Sequence, residues 1–361
     1  MLTFTGGRGD PVAVYKNSKG KNKIISYISP HDIEEEDDED FNLGNADVKD
    51  SLDTAKYGGD MFRKLIRSYR EKAKQNCKDI LDGEDCDDPF AKIIVKKMEK
   101  ESKKDIKFKT KGCMFLPDMT KRNIVYVAGP SGSGKSYVSA EYCRCYNMFF
   151  PKRQIFLFSK KGQDPAFDVL PSELGKNIFI RIDPQDIVNE QEVEARLAFL
   201  KVNDPEKYEE YLDEEKHEDL LKLAIRKYKK KDYEIDYKAF KNSLCVFDDT
   251  HTFTKGAKDL IGQLQKDCMD LGRAANIEMV VTNHLLTEGH KTRNVLNELT
   301  KMVLFPEGSS YHQLKYVLDK QFGYDKDKVK KICQIKSRWV CLSRLPRYIV
   351  HEKGILLDKT I

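Results

Sequence analysis

Apolar residues in this chain gather into short, nearly continuous runs set between long charged stretches. The runs Gln154-Ile-Phe-Leu-Phe-Ser159 and Asn177-Ile-Phe-Ile-Arg-Ile182, each bounded by Pro, Gly or Asp, have the pattern of strands buried on both faces of a parallel sheet. Similar runs at 123–128, 243–247, 277–282 and 301–305 predict four more strands. Trp339–Leu342, Tyr348–Val350 and Ile355–Leu357 predict an antiparallel edge, with a turn at Glu352-Lys-Gly354. Between the strands the period lengthens to that of helices. These are expected from Lys135 to about Cys145, two or three times between 186 and 241, at Tyr311–Gln321 and at Lys326–Gln334. Nearer the N-terminus, Val12–Tyr15 and Lys23–Tyr27 suggest a hairpin. Phe62, Leu65, Ile66 and Tyr69 share one face of a predicted helix, and a second helix is expected over Pro89–Lys104. The class this defines is α/β, a mostly parallel sheet with an N-terminal extension.

Charge divides the chain further. Charged residues make up 34% of its 361 residues but nearly cancel, at net +5, so local clusters say more than the total. Residues 34–40 are all acidic, repel one another and bury nothing, which predicts a mobile acidic arm over 1–56. Lys92, Lys96, Lys97, Lys100, Lys103, Lys104, Lys107, Lys109 and Lys111 make a basic helical extension over 57–112, either a solvated face or a surface for a DNA backbone. The main folded domain is expected over 113–361, with a charged helical insertion at 186–241. The nine cysteines are scattered, and Cys143 with Cys145 or Cys333 with Cys341 lacks zinc spacing, so a reducing compartment is expected. No apolar run is long enough to span a membrane.

The chemistry is concentrated after the strand at 123–128. It runs into Gly129-Pro130-Ser131-Gly132-Ser133-Gly134-Lys135-Ser136 and then Tyr137, the phosphate-binding P-loop pattern placed between a strand and a helix. Glycines let successive backbone N–H groups turn toward a polyphosphate, and the positive end of the next helix faces the same anion. Lys135 would serve the β- and γ-phosphates of ATP, and Ser136 would offer a hydroxyl to Mg²⁺. The strand at 243–247 ends in Asp248 and Asp249, the form of a Walker B element. Asp248 would hold Mg²⁺, and Asp249 would orient the water that attacks the γ-phosphate. Asn283, at the end of the strand at 277–282, is a candidate reporter of the γ-phosphate. His284 and His251 have no carboxylate or cysteine at ligand spacing, so no metal site is expected there. Arg273 lies just before that strand and is a candidate arginine finger, either catalytic toward a neighbouring subunit's ATP or a plain surface residue.

The order of these motifs resembles the genome-packaging ATPases of large DNA viruses, in the FtsK/HerA group of P-loop NTPases. Gly129–Ser136, Leu244–Asp249, Gly272–Ile277 and Thr292–Asn294 carry the likeness, which covers about residues 113–357. The resemblance implies a RecA-like sheet in which an added strand separates the P-loop and Walker B strands. It also implies a homo-oligomeric ring and ATP-driven movement of double-stranded DNA into a capsid. The partners would then be DNA and capsid or portal components, and the setting the virion and the host cytoplasm. In this light Arg273 gains weight as a trans-acting group, with Arg293 in reserve. Asp249 stands where such motors often carry Glu, and Asn283 where they often carry Gln. The alternatives are a P-loop kinase or other small-molecule phosphotransferase and an ATP-gated assembly scaffold. The Asp248–Asp249 pair, with a later polar strand end, suits water activation rather than a kinase, and turnover with and without DNA separates all three.

Overall fold

The computed structural model describes residues 2–3, 9–16, 20–27, 106–160, 164–225, 232–287 and 290–357. The acidic run, the helix predicted around Phe62–Tyr69, the one predicted over Pro89–Lys104 and most of the basic extension lie outside the described residues. Two compact units are present. One comprises residues 116–346, and the other the described parts of 1–115 together with those of 347–361.

The larger unit is built on seven strands: β1 (Ile124–Ala128), β2 (Ile155–Phe158), β3 (Phe179–Ile182), β4 (Leu244–Phe247), β5 (Glu278–Asn283), β6 (Lys301–Leu304) and β7 (Val340–Ser343). Their order across the sheet is 7-6-1-5-4-2-3. All neighbours are parallel except β7, which runs antiparallel to β6. Every residue of β1, β2, β4, β6 and β7 is buried, as their apolar sequences require. The prediction of burial on both faces fails for β3, where only Phe179 is fully buried. β3 is the sheet's last strand in this unit, and polar Arg181 suits that half-covered place.

Six helices are numbered here: α1 (Lys135–Phe149), α2 (Pro184–Asn203), α3 (Lys255–Asp270), α4 (His290–Glu298), α5 (Tyr311–Lys320) and α6 (Lys326–Cys333). The path from β1 through β2 to β3 moves one way across the sheet, and the path from β4 through β5 to β6 moves the other way. Right-handed crossovers then place α1 on one face and α3 and α4 on the other. The packing agrees. α1 contacts the short helices Pro165–Asp168 and Leu170–Leu174, whereas α2 contacts α3. The insertion at 186–241 forms α2, two short helices at Pro205–Glu210 and His217–Lys222, and a 3-10 turn at Tyr237–Phe240. Arg196 ties it together by pairing with Glu192 and donating to the carbonyls of Leu220 and Leu223.

In the smaller unit, Asp10–Lys16 pairs antiparallel with Asn22–Tyr27, as the hairpin pattern predicts, and also with Cys113–Phe115. Tyr348–His351 and Gly354–Leu357 form a second hairpin, and its latter strand pairs with Ile106–Lys107. This pairing brings residues 347–357 into the same unit as the N-terminal strands.

Candidate nucleotide site

Parallel strands bring their carboxyl ends to one edge of the sheet, and the loops leaving β1, β4 and β5 meet there. Because β5 lies between β1 and β4, the chain following β5 reaches both the P-loop and the two aspartates. The loop after β1 is held from both sides. The Gly129 N–H donates to the Asn283 carbonyl at 3.1 Å, and the Ser133 N–H donates to the Pro130 carbonyl at 3.2 Å. Gly129 must be glycine, since a Cβ there would lie 2.5 Å from the buried ring of Phe305. Gly134 has φ of 106°, and a Cβ on it would meet the Arg338 guanidinium at 2.9 Å. α1 begins at once after it, with no acidic residue in its first turn and no side-chain cap. Its N-terminal N–H groups and dipole are left to an anion. Ser131 and Tyr137 are exposed, and Ser136 is half-buried.

Lys135 is buried, and its ammonium lies 3.3 Å from the Pro130 carbonyl and 3.3 Å from Nδ1 of His284. Burial lowers its pKa, while the charges of Asp249 and Asp248 oppose that shift. Across from it, Thr282 Oγ1 donates to Asp248 Oδ1 at 2.8 Å and accepts the Asp249 N–H at 3.0 Å. One buried hydroxyl thus fixes both aspartates. Burial, followed by the charge of Asp249, pushes the Asp248 carboxyl up to about 6. Asp249 has the left-handed backbone φ of 43°. His284 Nε2 approaches its Oδ2 at 3.3 Å, and its Oδ1 is buried with no hydrogen-bond partner among the described residues. Buried acceptors are normally paired, so an open one on a carboxylate marks a place for a donor such as water.

Mg²⁺ fits this donor set. It takes hard oxygens, which Ser136 and Asp248 supply, and a divalent cation relieves the repulsion between two neighbouring carboxylates. A softer site was not expected from sequence spacing, yet Asp249, His251 and His284 bring ligand atoms within 4.8 Å of one another. Folding places the carboxylate that the sequence seemed to lack beside both rings. In this state the Lys135 ammonium at the other ring nitrogen of His284 opposes a second cation.

The remaining predicted residues are Asn283, Arg273 and Arg293. The Asn283 side chain accepts the Leu285 N–H at 3.3 Å and so shapes the turn after β5, while His284 faces the aspartates. Arg273 is exposed in the turn before β5, at the end of the strand opposite the P-loop. That turn is anchored by Arg122, which donates to the carbonyls of Ile277 at 2.6 Å and Met269 at 3.0 Å, and to that of Cys268. Arg293 is exposed on α4. Sequence reading missed Thr282, His284 and Arg338. Thr282 and His284 flank the predicted Asn283 and were within reach of the strand-end argument. Arg338 comes from the residues before β7 to donate to the Ser133 carbonyl at 2.9 Å, and no local pattern marks it.

The topology and the loop together define a P-loop NTPase fold of RecA-like arrangement, with β5 as the added strand between the P-loop strand and the Asp-Asp strand. No family model matches the chain. It is similar to the uncharacterized protein V3 of Sputnik virophage, at 27% identity over 242 residues, or 66% of this chain and 78% of that one. Among solved structures it is similar to the genome packaging NTPase B204 of Sulfolobus turreted icosahedral virus 2 in complex with AMPPCP. That match has a TM-score of 0.36 and 13% identity, over 66% of this chain and 98% of the other. The conjugation coupling protein TcpA of pCW3, with ATPgS, matches with a TM-score of 0.34 and 14% identity, over 68% of this chain and 64% of the other.

Proposed function

We propose that this chain is a Mg²⁺-dependent ATPase that moves double-stranded DNA during packaging of a viral genome. The observation that carries the ATPase reading is the meeting of Lys135 with Asp248 and Asp249 at one sheet edge, around an open helix N-terminus. In this reading the P-loop N–H groups and Lys135 hold the triphosphate, and Ser136 and Asp248 hold the metal. Mg²⁺ supplies charge neutralisation of the phosphates when bound. Asp249, through its open Oδ1, orients the attacking water and accepts its proton. The buried open Oδ1 of Asp249, suited to a water molecule, favours hydrolysis over phosphotransfer.

The order of the motifs supports a motor, and the similarity to a virophage protein supports a viral setting. In a ring of such subunits, Arg273 lies too far from its own P-loop to act there and would serve the next subunit's ATP. The basic residues of 92–111 and a capsid or portal component would be further contacts. The test is ATP turnover at rising protein concentration, with and without duplex DNA. Turnover should rise with assembly and with DNA, and added salt should weaken the stimulation as phosphate contacts are screened. A concentration-independent ATPase that ignores DNA would refute the motor reading, and no turnover under any condition would refute the ATPase reading.

A further inference from the structure

The contacts of His284 join two groups that the proposed reaction uses at different moments. An ammonium carries only donors, so His284 must turn a lone pair on Nδ1 toward Lys135, 3.3 Å away. The ring proton of the neutral imidazole is then on Nε2, which faces Asp249 Oδ2 at 3.3 Å. Lys135 thus donates to His284, whose Nε2 faces Asp249 Oδ2 within ion-pairing distance. The imidazole holds the aspartate by Oδ2 and leaves buried Oδ1 as the acceptor still open. The Lys135 ammonium is held on the imidazole and the Pro130 carbonyl.

We propose that His284 is a positioning residue with two opposed effects: it orients Asp249 for hydrolysis and competes with nucleotide phosphates for Lys135. The inference rests on the ATPase reading and adds a residue to it. When a triphosphate enters, Lys135 exchanges His284 for phosphate oxygens, a cost charged to binding, while the contact of Nε2 with Asp249 persists into the loaded state.

The two effects predict opposite signs in one variant. His284→Ala in the full-length protein should bind Mg·ATP analogue about fivefold more tightly, the factor equivalent to about 1 kcal/mol for one net hydrogen bond. The same variant should lose about tenfold or more in kcat, because Asp249 is no longer held. Two conservative variants separate the contacts. An asparagine amide overlays Nδ1 and reaches Lys135 only, so His284→Asn should keep wild-type affinity with low kcat. A glutamine amide reaches the place of Nε2 and can donate to Asp249, so His284→Gln should recover much of kcat. Affinity is read by calorimetry and turnover by phosphate release, with circular dichroism to certify folding. Affinity and kcat falling together in a folded His284→Ala protein would mean a merely structural role and overturn the proposal, as would no change in either. If wild type neither binds nor hydrolyses ATP, the ATPase reading falls and this proposal with it. An active wild type matched by His284→Ala removes the proposal alone.

Discussion

Replacing Thr282 with valine keeps the shape and β-branching of a buried residue of β5 and deletes one hydroxyl. Thr282 is 2% exposed, so packing changes little and the loss is confined to hydrogen bonds. Two are lost: the one donated to Asp248 Oδ1 at 2.8 Å and the one accepted from the Asp249 N–H at 3.0 Å. A hydrogen bond to a charged group contributes about 1.5–3 kcal/mol, and a buried N–H left unpaired costs about 1–3 kcal/mol. Asp248 lies at the sheet's edge and can regain some hydration, so the expected total is about 2–3 kcal/mol. For a unit of this size that lowers Tm by about 5–10 °C. The substitution also reaches the chemistry. The hydroxyl favours ionised Asp248, whose carboxyl burial has pushed up to about 6, and removing it should raise that value by about one unit. Because the metal needs the carboxylate, the acid limb of kcat/KM should move upward by the same amount. Thermal unfolding and a pH profile of phosphate release measure both effects, and Thr282→Ser, which keeps the hydroxyl, should restore both. Unchanged stability with an unmoved acid limb would refute the assignment of Thr282 as the clamp on the two aspartates.

Asp249→Asn should retain nucleotide affinity while turnover falls about 100-fold or more, since an amide is a poor acceptor for a proton from water; calorimetry beside phosphate release checks this, and unchanged turnover moves the base elsewhere. Arg273→Ala and Lys135→Ala should each be nearly inactive alone, and mixing them should restore some hydrolysis where an intact Arg273 meets an intact P-loop; no rescue in assembled mixtures argues against action in trans. Glu278 gives a pH signature. Burial pushes its carboxyl up to about 7 despite hydrogen bonding from Asn123 at 2.7 Å. The stability it contributes is therefore complete below its unfolded value and is lost as pH rises through about 7. Glu278→Gln, which mimics the protonated form, should match wild type near pH 4 and exceed it at pH 8 by up to about 3 kcal/mol in urea unfolding. A variant less stable at pH 8 would show that Arg153 and Lys301 outweigh burial.

What could be read in the sequence was whatever a short window encodes. The P-loop is eight consecutive residues, and each buried strand is an apolar run, so loop, strands and the Asp248–Asp249 pair were legible before any coordinate. Strand order was less so. Nothing local places β5 between β1 and β4, and only the likeness to packaging ATPases suggested an added strand there. The side chains that arrive from a distance were beyond local reading. Asn123, Glu278 and Lys301 lie far apart in the chain but form one buried polar network under the sheet, with Lys301 Nζ 3.0 Å from Asn123 Oδ1. His251 and His284 looked unsupported only because their carboxylate, Asp249, is brought to His284 by the strand pairing. His284, the group that faces Asp249, lies one residue beyond the predicted Asn283, and which side chain points where at this strand end is fixed only once the turn that follows is known.

The turn that carries Arg273 has a mechanical consequence. Arg122 staples it to the last carbonyls of α3 and to Ile277, and β5 then runs from Glu278 to Asn283 with neighbours hydrogen-bonded on both sides. Six extended residues span about 20 Å and cannot stretch. Arg273 and His284 therefore sit on the two ends of one rod. Its near end is bolted to a helix, and its far end lies against the carboxylate that would handle water. A load applied to Arg273 meets no slack glycine hinge before reaching that carboxylate, so strain at the amino edge of the sheet would be felt at its carboxyl edge.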